Sequence, residues 1–581
     1  MLRVPCRITV SGMLYGVLCT ATAASPSARA PDLILAHGTV LTVDRDDSVV
    51  QAVAVRDGKV LTTGSDAVVL ALGGPRTRVI DLRGRTATPG LIDNHAHIAA
   101  DGVASITQID LSDTSNIPEI VERVRAKTAQ MKPGEWIHGH GWDEGKLQEH
   151  RYVTAADLDP ATPNNPVWLE QVTSHYGVAN TYALRLAKVS DSTPDPPAGT
   201  IDRDGTGHVT GVLKENAATE LVTALIPPPT PKQWRQGVLK IFDLLHREGM
   251  TGYKDPYDTQ PMWDAYRSLL DAGQLTMHVC VLWYGGTTLE SAEQVLKKVQ
   301  SLPRPPHSLG DGRLVSCGVK LVMDGSGGGR TAWMYQEWHK NGNEIDHGNR
   351  GYPYEDPAVY REMVRLFHQA GIHVGTHAIG DRAIDWVVDT YAEVEHEKPL
   401  RGLRHAIIHT NLPTEHAIDI MAMLQNQYDA GYPEMQPSFM WWLGNSYAGN
   451  LGAERAAHLE PLKTLLARGV QWSGGSDFSV TPVAARYGIW AAVEREAFKS
   501  QYGTHPFGTA EGVDVHAALR AFTVAAARQL FLEGRIGSLE PGKEADIAVW
   551  DRNMYTVPAS ELKDIRCEMT FFHGKVVYEA Q

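Results

Sequence analysis

Cysteine is scarce, with five residues in a chain of 581. Cys6 and Cys19 fall near the start, and Cys280, Cys317 and Cys567 are widely scattered. That spacing suggests neither a disulfide framework nor a thiolate metal cluster, so the last three are read as buried small hydrophobes. Long apolar runs are also missing after the first 30 residues. None approaches the ~20 residues that a membrane span requires. Runs of like charge are absent too: the formal net charge of −14 is spread along the chain, which favours solubility and argues against nucleic-acid binding.

Histidine, by contrast, is plentiful, with 24 residues. Residues 1–30 have the form of a signal peptide: Arg3 and Arg7 precede a mostly apolar or small stretch, and Ala28 and Ala30 follow. A leader there implies a periplasmic or secreted protein starting near Pro31; the competing reading is a disordered or wrongly assigned start. Cys19 follows Leu18, not the small residue that lipid attachment wants.

Residues 31–86 hold short β-rich runs broken by Gly38 and Gly58, and residues 533–581 have the same texture. Neither piece can close a core alone, so both are read as one composite β-sandwich domain that encloses a main domain over 87–532. Within that insert, strand-like runs alternate with helix-length amphipathic segments, the mark of repeated βα units. Strands are predicted at 91–95, 251–254, 276–282, 319–323, 373–376, 405–408, 435–439 and 470–473, with helices at 234–247, 289–300, 360–370 and 383–394. Eight parallel strands imply an α/β fold built on a (β/α)8 barrel, whose active sites form at the carboxyl ends of the strands. Residues 99–230 exceed a minimal barrel and are read as a cap.

The first predicted strand ends in His95-Ala96-His97. Residues i and i+2 of a strand share a face, so both imidazoles can reach one metal ion. Such a pair is weak evidence alone; a second one, His138 and His140, lies in the cap and is read as structural. The first pair gains weight because Lys320, His377, His409 and Asp477 lie on or just after later predicted strands. Each has a plainer reading as a core or capping residue, but together they bring imidazoles and a carboxylate to one rim. His405 is an alternative to His409.

The chain resembles the amidohydrolase superfamily, in the amidohydrolase-3 type branch that includes N-substituted formamide deformylase. The resemblance rests on Pro89-Gly90-Leu91-Ile92-Asp93-Asn94-His95-Ala96-His97, Gly318-Val319-Lys320-Leu321-Val322-Met323-Asp324-Gly325, His377-Ala378-Ile379-Gly380-Asp381-Arg382-Ala383, Gly475-Ser476-Asp477 and the closing Gly537-Ser538-Leu539-Glu540-Pro541-Gly542-Lys543-Glu544-Ala545-Asp546. It implies two metal ions, one on His95, His97 and Asp477 and one on His377 and His409, bridged by Lys320 as a carboxylated lysine. Such ligands suit zinc best and also accommodate manganese or iron. It further implies hydrolysis of an amide or other C–N bond of a small molecule, with Asp477 taking and returning the proton. An ester, lactone or cyclic amide would serve the same site, and an inactive metal-binding relic is the reading from another class. Trp142, Asp143, His175, Tyr176, Asn180, Glu215 and Arg330 are candidates to line the substrate pocket. The chain departs from the branch at Ala406-Ile407-Ile408-His409, which lacks a glutamate beside the histidine, and at the glycine-rich Gly327-Gly328-Gly329. A homo-oligomer is left open.

Overall fold

A computed structural model describes residues 29–340, 344–497 and 508–581. All but the end of the predicted leader, with Cys6 and Cys19, lies outside the described residues. The core is a barrel of eight parallel strands in sequential order: Leu91–Asp93, Met250–Asp258, His278–Tyr284, Leu314–Val322, His373–Ala378, Ala406–His409, Tyr432–Met435 and Ser473–Gly474. These are called the first to eighth strands below. The long second and fourth strands are buried almost throughout, because helices cover one side of the wall and interior side chains fill the other. The eighth strand meets the first where Asn94 N–H donates to the Gly474 carbonyl at 2.9 Å. The Asn94 amide also donates to Ser473 Oγ at 2.5 Å, which joins the two ends of the sheet.

Two of the predicted strands lie in different registers. The seventh runs over Tyr432–Met435, earlier than predicted, because Pro437 has no N–H for the ladder and Ser438–Trp442 coils into a short helix. The eighth is bonded only at Ser473–Gly474, since the Gln425 side chain instead occupies the N–H and C=O of Gln471. Cys280 and Cys317 require a further correction. They are not separate hydrophobes but a disulfide linking the neighbouring third and fourth strands, with their Cα atoms 5.6 Å apart. Strand pairing brings together residues 37 positions apart in sequence. Cys567 is free and buried. No helix among the described residues is long and apolar enough to cross a membrane.

After the first strand come the helix Ile98–Thr107 and then a six-stranded sheet that forms the cap, before the helix Pro231–Arg247 returns to the barrel. A sandwich of a four-stranded and a six-stranded sheet takes strands from both ends of the chain. In the larger sheet, Ile547–Trp550 pairs antiparallel with Thr86–Pro89. Between the two sheets, Leu33, Leu35, Val53, Ile547, Val549 and Phe571 share one apolar core.

The helices on either side of the cap meet at glycines. A Cβ on Gly102 would come within 2.6 Å of the Gly237 backbone, and one on Gly237 would strike Gly102 and Val103 in return. The helix starting just after His97 is thereby held close to its neighbour. Gly237→Ala is expected to lower the free energy of unfolding by about 1–3 kcal/mol through overpacking, seen as a lower urea midpoint. Helix propensity alone would favour alanine by about 1 kcal/mol, so a raised midpoint would refute the role of the contact.

Candidate metal centre at the barrel mouth

The first and eighth strands end in loops held together by one carboxylate. Asp93 Oδ1 accepts the N–H groups of His95 and Ser476, both at 3.0 Å, and Oδ2 accepts the Ser476 hydroxyl at 2.5 Å. Two further bonds cross the seam: Asp477 N–H to the His95 carbonyl at 2.6 Å and His97 N–H to the Phe478 carbonyl at 2.8 Å. Gly475 fits there because a Cβ would meet the His95 nitrogen at 2.8 Å. As a result, Asp477 Oδ1 lies 3.3 Å from His95 Nε2 and 3.2 Å from His97 Nε2.

His409 ends the sixth strand at φ +77°, and its Nδ1 lies 2.8 Å from Gln436 Oε1. The Gln436 amide nitrogen donates to the Glu434 carbonyl at 3.0 Å. That bond identifies Oε1 as an acceptor, assigns the His409 proton to Nδ1 and leaves the Nε2 lone pair free. His377 has the opposite tautomer, since its Nε2 donates to the Gly325 carbonyl at 3.0 Å and Nδ1 is free to coordinate. The His377 and His409 rings are 4.5 Å apart, and His95 and His409 are 5.2 Å apart. Lys320, on the fourth strand, is buried beside them. His95, His97, Lys320, His377, His409 and Asp477 thus face a single cavity of about 340 Å³. His405 lies at the other end of its strand, accepting Val374 N–H at 3.0 Å and bonded to His368 at 2.9 Å.

The donor set fits a divalent cation. Both ring nitrogens of His95 and Oδ1 of Asp477 are buried without hydrogen-bond partners, a costly state unless something else satisfies them. Burial holds His95 and His377 well below the usual imidazole range and His409 down to about 3, so these rings present lone pairs. Burial would raise Asp477, but the neighbouring His95 and His97 keep it ionised, well below the ordinary carboxylate value. Burial also pushes Lys320 down to about 8, which favours its neutral amine relative to a surface lysine.

From the cap, His175 reaches the cavity with its ring 5.0 Å from that of His377. Its Nδ1 lies 2.8 Å from Glu215 Oε2, while Thr331 donates its hydroxyl to the other Glu215 oxygen. Glu215 has φ 62° and ψ 157°, a conformation that ordinarily belongs to glycine. Left-handed φ values at Tyr257, His409 and Asp477 place more backbone strain around the same cavity.

Other predicted pocket residues lie elsewhere. Trp142 is fully buried in the cap core, its indole N–H bound to the Leu169 carbonyl at 3.1 Å. Arg330 is drawn away from the cavity by Asp346, 3.0 Å from its Nε. Tyr176 bonds Glu144 within the cap, Asp143 binds the Gly145 N–H, and Asn180 caps the helix Thr181–Leu186. His140, read as structural, lines the cavity wall. Asp93, Gln436, Glu170, Tyr257 and Tyr354 were missed. Of these, only Asp93 carried a sequence signal, as a polar residue that interrupts a predicted apolar strand just before His95.

A profile of the amidohydrolase family matches residues 78–578. The chain belongs to this family. It is 27% identical over 548 residues to the putative amidohydrolase YtcJ of Bacillus subtilis, covering 93% of this chain and 98% of that one. It is 28% identical over 566 residues to N-substituted formamide deformylase of Arthrobacter pascens, covering 94% and 98%. An uncharacterized metal-dependent hydrolase from Pyrococcus horikoshii shares the fold with a TM-score of 0.69 at 24% identity, covering 91% of this chain and 99% of that chain. The protein is thus a hydrolase of the amidohydrolase family with a metal-dependent fold.

The bond from Gln436 to His409 generates a prediction. Gln436→Leu should weaken metal retention about 10–100-fold, the usual scale for losing the partner of a metal-bound histidine. Gln436→Glu keeps an acceptor and should retain more metal. Metal content after graded chelation distinguishes the two, and equal retention in both variants and the parent would remove Gln436 from this role.

Proposed function

We propose that the protein hydrolyses an amide or other C–N bond of a small molecule at the barrel mouth. The convergence of His95, His97 and Asp477 within one cluster at the cavity carries this reading. Divalent ions, on this proposal two zinc ions bridged by a carboxylated Lys320, would supply a water of lowered pKa and polarise the substrate carbonyl. His95, His97 and Asp477 would hold one ion, and His377 and His409 the other. The N-substituted formamide deformylase among the relatives supports C–N cleavage.

Asp477 is the proton carrier. Kept ionised by its two histidines, it accepts the proton as the water oxygen bonds to the carbonyl carbon. It returns that proton to the nitrogen as the C–N bond breaks, leaving a carboxylic acid and an amine. His175 contacts the substrate from the cap side, with Glu215 fixing its ring through Nδ1 so that Nε2 is left for the substrate. An exported, periplasmic or secreted enzyme is part of the same proposal, supported by the leader-like residues 1–30 and by a disulfide that suits an oxidising compartment.

Asp477→Asn is expected to keep the fold and much of the metal while lowering turnover by about 10²–10⁴-fold, since a carboxamide cannot accept the proton. Assays on metal-loaded protein with N-acyl and N-formyl compounds test this, and near-normal turnover would exclude Asp477 as the carrier. Lys320→Ala should lose metal and activity together, with partial rescue by short carboxylic acids that fill the vacated bridge. Lost stability with metal and turnover intact would leave Lys320 a structural residue. In a secreting host, mass spectrometry should find a chain starting near residue 25 or 31, and an intact Met1 would contradict export.

A further inference from the structure

The inner cavity shares wall residues with a larger outer groove under the cap. Gln108, Glu170, Ser174 and Asn216 belong to both. Glu170 lies on the cap strand Val167–Gln171, opposite His140 in the parallel register, with His138 Nε2 3.8 Å from its carboxylate. Burial would raise its pKa, but His138 brings it below the ordinary value, so the group is anionic. Its side chain remains 29% exposed.

Charge around the inner cavity is lopsided. Among the described wall residues there are four carboxylates, Asp101, Glu170, Glu215 and Asp477, and no arginine; Lys320 is the one lysine. Three of the carboxylates are already engaged. Asp477 belongs to the metal cluster, Glu215 holds His175 and Thr331, and Asp101 accepts Ser479 N–H at 2.6 Å. Glu170 has His138 and Ser174 as cap neighbours and stands apart from the ligand cluster, where the two spaces share walls. A substrate carboxylate there would meet an anion and lack the guanidinium that usually recognises such groups.

We propose that Glu170 reads the part of the substrate distal to the scissile bond, and that this part bears a cationic or N–H-rich nitrogen group and not a carboxylate. The inference rests on the hydrolase reading only in taking the metal cluster as the place where the scissile bond sits. Glu135 and Lys127 also line the outer groove, but among the described residues Glu170 is the one carboxylate that lines both spaces, and its side chain stays partly exposed to a ligand passing between them. His140 beside it is kept neutral by burial and can accept a second N–H.

The test uses ω-acetamido compounds with three to six methylenes that end in an amine, an alcohol or a carboxylate. Turnover is measured with metal-loaded protein, and binding is measured by calorimetry on the Asp477→Asn protein. The amine should exceed the alcohol by about tenfold in kcat/KM and in affinity, the scale of one charge-assisted hydrogen bond, and the carboxylate should be poorest. Glu170→Gln should abolish the amine's advantage through KM, and Glu170→Lys should shift preference towards the carboxylate. A carboxylate preference in the parent, or an equal loss on all three compounds in Glu170→Gln, overturns the proposal. Absence of turnover with amine binding still dependent on Glu170 would refute the C–N hydrolase reading while sustaining the role of Glu170.

Discussion

The candidate site depends on the Asp93 carboxylate at the barrel seam. A closed barrel must join its first and last strands, and here the join coincides with the loops that carry His95, His97 and Asp477. Three hydrogen bonds reach Asp93, two of them from backbone N–H groups on opposite sides of the seam. Burial pushes the group up to about 7, so those donors offset a substantial desolvation cost. Fixing both loops to one side chain sets the approach of His95 and His97 to Asp477 before any ion binds.

The cap contributes to the site as well as covering it. Glu215 connects His175 to Thr331, whose loop follows the fourth strand. The cap imidazole is therefore positioned by the barrel as much as by its own sheet. Strained φ angles at Glu215, Tyr257, His409 and Asp477 are consistent with a site over-determined by its surroundings.

Much of the fold was legible because it is encoded locally. Alternating apolar runs and amphipathic helices marked eight barrel strands, and the similar β-rich texture of the two ends suggested a shared sandwich. Polar residues at strand ends, such as His377 and His409, pointed to the rim. Features that depend on long-range geometry were not legible. Nothing near Cys280 indicates that Cys317 is its neighbour across the sheet, and nothing near Arg330 indicates that Asp346 will turn it from the cavity. Trp142 and Asp143 resembled pocket residues, but the cap strand shifts register between His140 and Trp142, and the indole lies in the core. Gln436 was overlooked because its predicted strand extended through Pro437, which concealed a polar side chain at the strand's true end.

The sandwich also has a temporal consequence. Thr86–Pro89 is the chain's path into the first barrel strand, and it sits between Thr39–Leu41 and Ile547–Trp550 in one sheet. The foundation beneath His95 and His97 is therefore incomplete until residue 550 has left the ribosome, although the histidines themselves are made early. A late segment of the chain completes the support of early candidate ligands, so a chain cut before residue 547 would lose the floor under the candidate site while retaining every candidate ligand.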